Sequence, residues 1–146
     1  MIKIAHRGNV DGARPESENN PIQLVAAISA GFDVEADVWV EDGLFFLGHD
    51  NPLHPVDESY IKDISKYAWY HCKNLEALDT FTKKFPDYRY FWHEEDRFTL
   101  TSNGYIWTYP SQPVTDRSII VDLELSELQK YKDVPYAICT DYPTKL

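Results

Sequence analysis

His6-Arg7-Gly8, Glu18-Asn19, Glu35-Ala36-Asp37 and His49-Asp50 punctuate residues 5–50, each set where an apolar run gives out. Chemistry held at strand ends is the habit of α/β barrel enzymes, so these pieces decide the fold class. Ile2-Lys3-Ile4-Ala5 reads as a short strand ending at His6, and Gly8 lets the backbone turn close to whatever His6 faces. Residues 9–18 form a polar loop. Asn20 then predicts a helix N-cap, with Pro21 at the first helical position and Gln23 closing a capping box. Ile22, Leu24, Val25 and Ile28 give an apolar stripe at helical spacing, and Gly31 stops the helix.

Residues 32–40 predict the second strand. Glu41-Asp42-Gly43 is a hairpin signal, and Leu44-Phe45-Phe46-Leu47 returns toward Gly48-His49-Asp50. A two-residue loop pairs His49 with Ala36, whereas a three-residue loop sets it opposite Glu35. A slip of one residue moves every side chain to the other face. A working site containing both His49 and Glu35 therefore predicts the three-residue loop.

The remaining chain repeats the pattern of apolar run, polar end, then loop or helix. Residues 51–57 read as loop and 58–66 as a short helix. Strands follow at 68–72, bringing His71 and Lys73, and at 88–92, ending on His93-Glu94-Glu95-Asp96. Between them Asn74 caps a helix to Phe85, with Leu75, Leu78, Phe81 and Phe85 on one side. A hairpin joins 98–101 to 105–109, a strand at 118–121 ends at Asp122 and Glu124, and Ser126 and Gln129 cap a short helix to Lys132. The last strand, 136–139, closes on Thr140-Asp141-Tyr142-Pro143.

Seven or eight barrel-type strands stand against three or four helices. A full eight-fold barrel takes about 250 residues. The expected fold is therefore α/β: a reduced TIM-type (β/α) barrel with several outer helices missing, as one domain over residues 1–146.

Composition bounds the function. Hydrophobic residues make up 43% of the chain and aromatics 14%, which excludes disorder. A net charge of −10 and no cluster among the 14 basic residues argue against nucleic acid, whose affinity comes from neutralised phosphates. Leu44-Phe45-Phe46-Leu47 is far too short to span a membrane, and the opening residues do not read as a signal peptide. Cys72 and Cys139 are expected free and buried, in a cytoplasmic protein.

Glu35 and Asp37, two apart on a strand, point to one face. Carboxylates held that close repel unless a cation or a proton lies between them, so they predict a divalent-metal site.

These residues resemble the glycerophosphodiester phosphodiesterase family. Its members carry His-Arg-Gly at a strand end, then Pro-Glu-Asn-Thr, a Glu-x-Asp pair and a His-Asp pair. Here they stand as His6-Arg7-Gly8, Glu18-Asn19-Asn20-Pro21, Glu35-Ala36-Asp37 and His49-Asp50, with similar spacing from Glu18 to Gly31. Tyr105-Ile106-Trp107-Thr108 resembles the family's late Trp-Thr strand, and Ala137-Ile138-Cys139-Thr140-Asp141-Tyr142-Pro143 its closing strand. The chain departs at the third strand, where His71-Cys72-Lys73 replaces Glu-x-Lys. It departs also in a shorter turn near Gly43 and a shortened middle.

The resemblance implies a metal-dependent phosphodiesterase acting on a glycerophosphodiester or a similar small phosphodiester. His6 and His49 would be the acid–base pair, Arg7 and Lys73 would offset the phosphate's charge, and Glu35 and Asp37 would hold the metal. The third ligand is His71 or, from neighbouring strand ends, Glu124 or Glu94. The cation would be Mg, Ca or Mn, with Zn also suited to an imidazole ligand. Arg7, Trp107 and His93 are the substrate-binding candidates. Two rivals stay open: a non-catalytic module that binds a phospho-polyol, and a phospholipase-like enzyme on a larger headgroup.

Overall fold

The computed structural model describes residues 1–131 and 133–146. Ten strands and three α-helices follow in the order β1 (Ile2–His6), α1 (Pro21–Ser29), β2 (Asp33–Glu41), β3 (Leu44–Leu47), β4 (His54–Val56), α2 (Glu58–Ile64), β5 (Ala68–Cys72), α3 (Leu75–Lys84), β6 (Tyr90–Phe91), β7 (Phe98–Leu100), β8 (Ile106–Thr108), β9 (Ser118–Val121) and β10 (Ala137–Thr140). They form one mixed α/β unit whose single sheet is strongly curled into a half-barrel. The path runs β4-β3-β2-β1-β10-β9-β8-β7, with β5 added to β2 and β6 to β5.

β2 is the hub. Its first half pairs in parallel with β1, from Ile4↔Asp33 to His6↔Glu35, and its other edge pairs in parallel with β5, from Val34↔Ala68 to Val38↔Cys72. Past the end of β1 it takes β3 antiparallel, from Val38↔Leu47 to Glu41↔Leu44. Alternate side chains sort onto the two faces of the sheet and build three cores, the third and smallest joining Ile120, Leu128, Tyr131 and Ile138. Ala5, Val34, Ala36, Ala68 and Tyr70 face Leu24, Ala27, Ile61, Ala77 and Phe81 of the helices. Ile4, Trp69, Phe91, Trp107, Ile119, Ala137 and Cys139 fill the other face, inside the curl. Cys72 belongs to the first core and Cys139 to the second, so the sheet itself separates these two buried free thiols.

Several sequence expectations are corrected. The β2–β3 loop has two residues, not three: Asp42 and Gly43 both have positive φ (51° and 78°), as a hairpin turn matched to strand twist requires. Their amides donate to the Glu76 carboxylate at 3.1 and 3.0 Å. Asn20 caps α1 through Ile22 N, but Gln23 donates to the Gly8 carbonyl and closes no capping box. Helix α1 buries Leu24 and Ala27, while Ile22 and Val25 face outward. The rotation seats Leu24 against Gly8, where an added Cβ would lie 3.2 Å from its side chain.

Residues 51–57 include β4, which tolerates Pro55 because an edge strand leaves one row of amides unpaired. Leu75 of α3 is exposed; Ala77 and Phe81 make its packed face. β6 shrinks to two residues. Residues Leu125–Tyr131 are 3₁₀ rather than α, and Lys132, expected to end that helix, lies outside the described residues. Among the described residues no helix is long and apolar enough to cross a membrane.

Candidate metal centre

Period-two alternation carries the inner core into a polar layer. Above Ile4 comes His6; above Asp33, Glu35 then Asp37; above Trp69, His71 then Lys73; above Phe91, His93; above Cys139, Asp141. The apolar floor thus ends in a ring of chemistry at the C-terminal ends of parallel strands. A cavity of about 440 Å³ opens there, walled by His6, Arg7, Glu35, His71, Lys73 and Trp107 among others.

Glu35, Asp37 and His71 are buried and each offers a ligand atom within 4.8 Å of the other two. His71 Nε2 lies 2.9 Å from the His93 carbonyl oxygen. A carbonyl only accepts, so Nε2 carries the hydrogen and the Nδ1 side faces the acids. Nδ1 stands 3.1 Å from Asp37 Oδ1 and 3.7 Å from Glu35 Oε1. A ligand histidine whose other nitrogen donates to a carbonyl is how metal sites fix their imidazoles. Asp37 Oδ1 is buried without an aligned hydrogen bond, while Asp37 Oδ2 accepts from Asn19 Nδ2 at 2.8 Å. Two carboxylates and one oriented imidazole, with an oxygen left over, fit a divalent cation.

The charges agree with that fit. Burial alone would lower the His71 pKa, but its contacts with Asp37 and Glu35 reverse this and raise it to about 9. Burial alone would raise the Asp37 pKa; His49, His71 and Arg7 hold it well below the usual carboxylate range. Either a proton on Nδ1 or a cation balances the two acids. Glu124 is exposed, and Glu94 sits exposed at the cavity mouth, so of the three candidates His71 alone joins the pair.

Arg7 knits the centre together from a left-handed backbone position (φ 52°). Its amide donates to Glu35 Oε2 at 3.2 Å, Nη1 donates to Glu18 Oε2 at 2.9 Å, and Nε stands 3.4 Å from Asp37 Oδ2. Lys73 Nζ is 4.0 Å from Asp37 Oδ1.

His49 reaches the site by a route that register counting does not anticipate. The ladder stops at Leu47; Gly48 N still donates to the Asp37 carbonyl at 3.1 Å, and there the chain turns away. Gly48 adopts φ 154°, and a Cβ on it would fall 2.1 Å from the Asn51 carbonyl oxygen, so only glycine fits. Trp39 Nε1 donates to the Gly48 carbonyl at 2.7 Å. The result is His49 Nδ1 at 3.5 Å from Asp37 Oδ2 despite the two-residue hairpin.

No family model, no curated protein and no solved structure matches this chain.

The partners of three site residues, Asn9, Asn19 and Asp141, escape a reading of motifs alone. Asp141 Oδ1 lies 2.8 Å from His6 Nδ1 and accepts from Asn9 Nδ2, also at 2.8 Å. Asn19 clamps Asp37 twice, through its side-chain amide and by accepting the Asp37 N–H at 3.0 Å. Burial by itself would lower the His6 pKa, but the bond to Asp141 and the charge of Glu35 raise it overall. Trp107 is nearly buried, stacked on Phe91 at 4.3 Å, and gives the cavity its floor. His93 contributes its backbone carbonyl to His71, and its ring also lines the cavity, with its pKa lowered chiefly by burial and then by His71.

Proposed function

We propose that this protein is a metal-dependent phosphodiesterase acting on a glycerophosphodiester or a similar small phosphodiester. The observation that carries the proposal is the buried Glu35–Asp37–His71 triad at the wall of a cavity that also holds His6, Arg7, His49 and Lys73. Metal ligands, two cations and two separate imidazoles are what a charged diester needs for binding and for two proton transfers.

We further propose a reduced (β/α) barrel as the frame. Seven strands run in parallel register through β6-β5-β2-β1-β10-β9-β8. Ser102 N donates to the Tyr90 carbonyl at 2.9 Å and Thr99 Oγ1 to the Trp92 carbonyl at 3.0 Å, which brings β6 against β7, the strand hairpinned to the last of that series. The free thiols Cys72 and Cys139 suit a reducing, cytoplasmic setting.

A divalent cation on the triad supplies Lewis-acid stabilisation of charge developing on the phosphate. The chain's own residues do the rest. Arg7 and Lys73 hold the anionic diester, which an acidic protein would otherwise repel. Asp141 fixes the ring of His6 and favours its protonated form, so His6 suits the acid that protonates the departing alkoxide. His49, half-exposed and with Nδ1 turned to Asp37, takes the proton of the attacking oxygen on Nε2.

One observation favours a second reading. His71 Nδ1 faces Asp37 Oδ1 at 3.1 Å and Glu35 Oε1 at 3.7 Å, and Arg7 meets the same two acids, so a protonated His71 with Arg7 offsets them with no cation, which suits a module that binds a phospho-polyol and does not turn it over. Phosphorus NMR of a glycerophosphodiester panel separates the readings. The proposal expects hydrolysis by the wild type with a divalent cation and a loss of about 10²–10⁴-fold in His6→Ala and in His49→Ala. Binding of the panel without any turnover selects the module.

A further inference from the structure

Gly48 is held at both of its backbone groups. Its N–H donates to the Asp37 carbonyl at 3.1 Å, and its carbonyl accepts from Trp39 Nε1 at 2.7 Å. Asp37 and Trp39 lie two apart on β2, so the indole leaves the strand on the same face as the Asp37 carboxylate. Beyond Gly48 the chain has left the ladder. Among the described residues the backbone of residues 49–52 makes no hydrogen bond, and the next is Leu53 N to the Leu47 carbonyl at 3.1 Å.

We infer that Trp39 is a positioning residue for His49. The inference rests on the phosphodiesterase reading for the task of His49 and goes beyond it by naming the group that aims its ring.

The Gly48 carbonyl and the His49 N–H share one rigid peptide plane. A donor fixed on that carbonyl therefore fixes the bond leading into His49, and with it the direction of the His49 side chain. Only glycine fits at position 48, and glycine loses more freedom on folding than any other residue. The indole bond supplies the restraint that glycine lacks. It leaves His49 Nδ1 at 3.5 Å from Asp37 Oδ2, with the ring in the cavity wall.

The donor is itself braced. Val40, the next residue of β2, donates from its N–H to Asn74 Oδ1 at 3.2 Å and accepts at its carbonyl from Asn74 Nδ2 at 2.8 Å. Asn74 also caps α3, accepting from Ala77 N at 3.0 Å. The strand segment that carries the indole is thus fastened to a helix, and a group so supported holds its neighbour to the tolerance that catalysis needs. Packing does not account for the indole. Trp39 is only part-buried and belongs to none of the three cores.

Trp39→Phe removes the N–H and keeps a ring on the strand. Two readouts test the inference: NMR relaxation of the histidine rings without substrate, and steady-state kinetics on the glycerophosphodiester panel with Mn²⁺. Trp39→Phe should lower the ring order of His49 and leave that of His6 unchanged. It should lower kcat by about tenfold at a KM within about twofold, since a shift of about 1 Å at a catalytic group costs up to about 10²-fold. In a His49→Ala background the same substitution should change kcat by less than about twofold, because residues that act through one another are not additive. Trp39→Leu, with no ring, should repeat these results. An unchanged His49 ring in both variants overturns the inference. So does an equal loss of kcat in the wild-type and His49→Ala backgrounds, which makes Trp39 merely structural. A wild type that turns over nothing overturns the phosphodiesterase reading instead, and the ring order of His49 then decides on Trp39 alone.

Discussion

Asp141 Oδ1 sits 2.8 Å from His6 Nδ1, tying the end of the last strand to the end of the first across 135 positions. β1 and β10 are neighbours in the sheet, with Ala5 opposite Thr140, so the next residue of each strand meets the other at the rim. The contact ties the two strand ends together and orients the His6 ring.

Asp141→Asn is therefore expected to lower the His6 pKa, because burial remains and the carboxylate that offsets it is gone. The sign of the linkage follows. His6 has a raised folded pKa, so its contribution to stability is full below about pH 6.5 and is lost as pH rises through the raised value. Asp141 has a lowered pKa, so its contribution is present above about pH 3.8 and is lost as pH falls through the lowered value. The pair should contribute most between those limits. Removing one partner of a buried pair costs about 3 kcal/mol. NMR titration of the His6 ring and denaturant melts at pH 5 and pH 9 check this, and Asp141→Asn should narrow the difference between the two melts.

Gly48→Ala should be costly in two ways. The new Cβ would meet the Asn51 carbonyl at 2.1 Å, so the loop must move, at about 2 kcal/mol or more. Displacing His49 by about 1 Å should cost on the order of 10²-fold in kcat. Thermal melts and steady-state kinetics read the two effects, and a fall in kcat at unchanged melting temperature would place the loss in His49.

Metal binding should release a proton. His71, raised to about 9 by the two acids, is protonated at pH 7 and must give up Nδ1 to become a ligand. Apparent affinity should then rise about tenfold per pH unit up to about pH 9. Calorimetry in buffers of different ionisation enthalpy counts the proton directly. His71→Glu should shift preference from Mn or Zn toward Mg or Ca, since a carboxylate is the harder ligand.

Phe81→Ala tests the frame independently of the site. Phe81 is fully buried and packs its ring on Tyr70 at 4.9 Å. Its truncation should cost about 3–5 kcal/mol of stability, and kcat at 10 °C should change much less than it does in the histidine variants.

Local chemistry explains what the sequence reveals. Strands β1, β2, β5 and β10 are legible because buried parallel strands read as apolar runs, and Asn20 and Asn74 because caps have local signatures. The Glu35–Asp37 face follows from period two alone. The hairpin register misleads because it treats β3 as running on to His49, whereas the ladder stops at Leu47 and Gly48 re-aims the chain. Asp141 and Asn19 stay hidden as partners because nothing local to either records that strand pairing sets it against His6 or Asp37. Exposed Ile22 and Leu75 fit helical stripes that the thin outer shell leaves uncovered.

The most direct test of the central claim is turnover of a glycerophosphodiester by metal-stripped protein as a divalent cation is returned. Wild type should regain hydrolysis in proportion to metal bound, at one ion per chain, while Asp37→Asn should regain less than about one per cent of it, a loss in the range for a catalytic group. No turnover with any of Mg, Ca, Mn or Zn, or equal turnover in the stripped protein, would contradict the account.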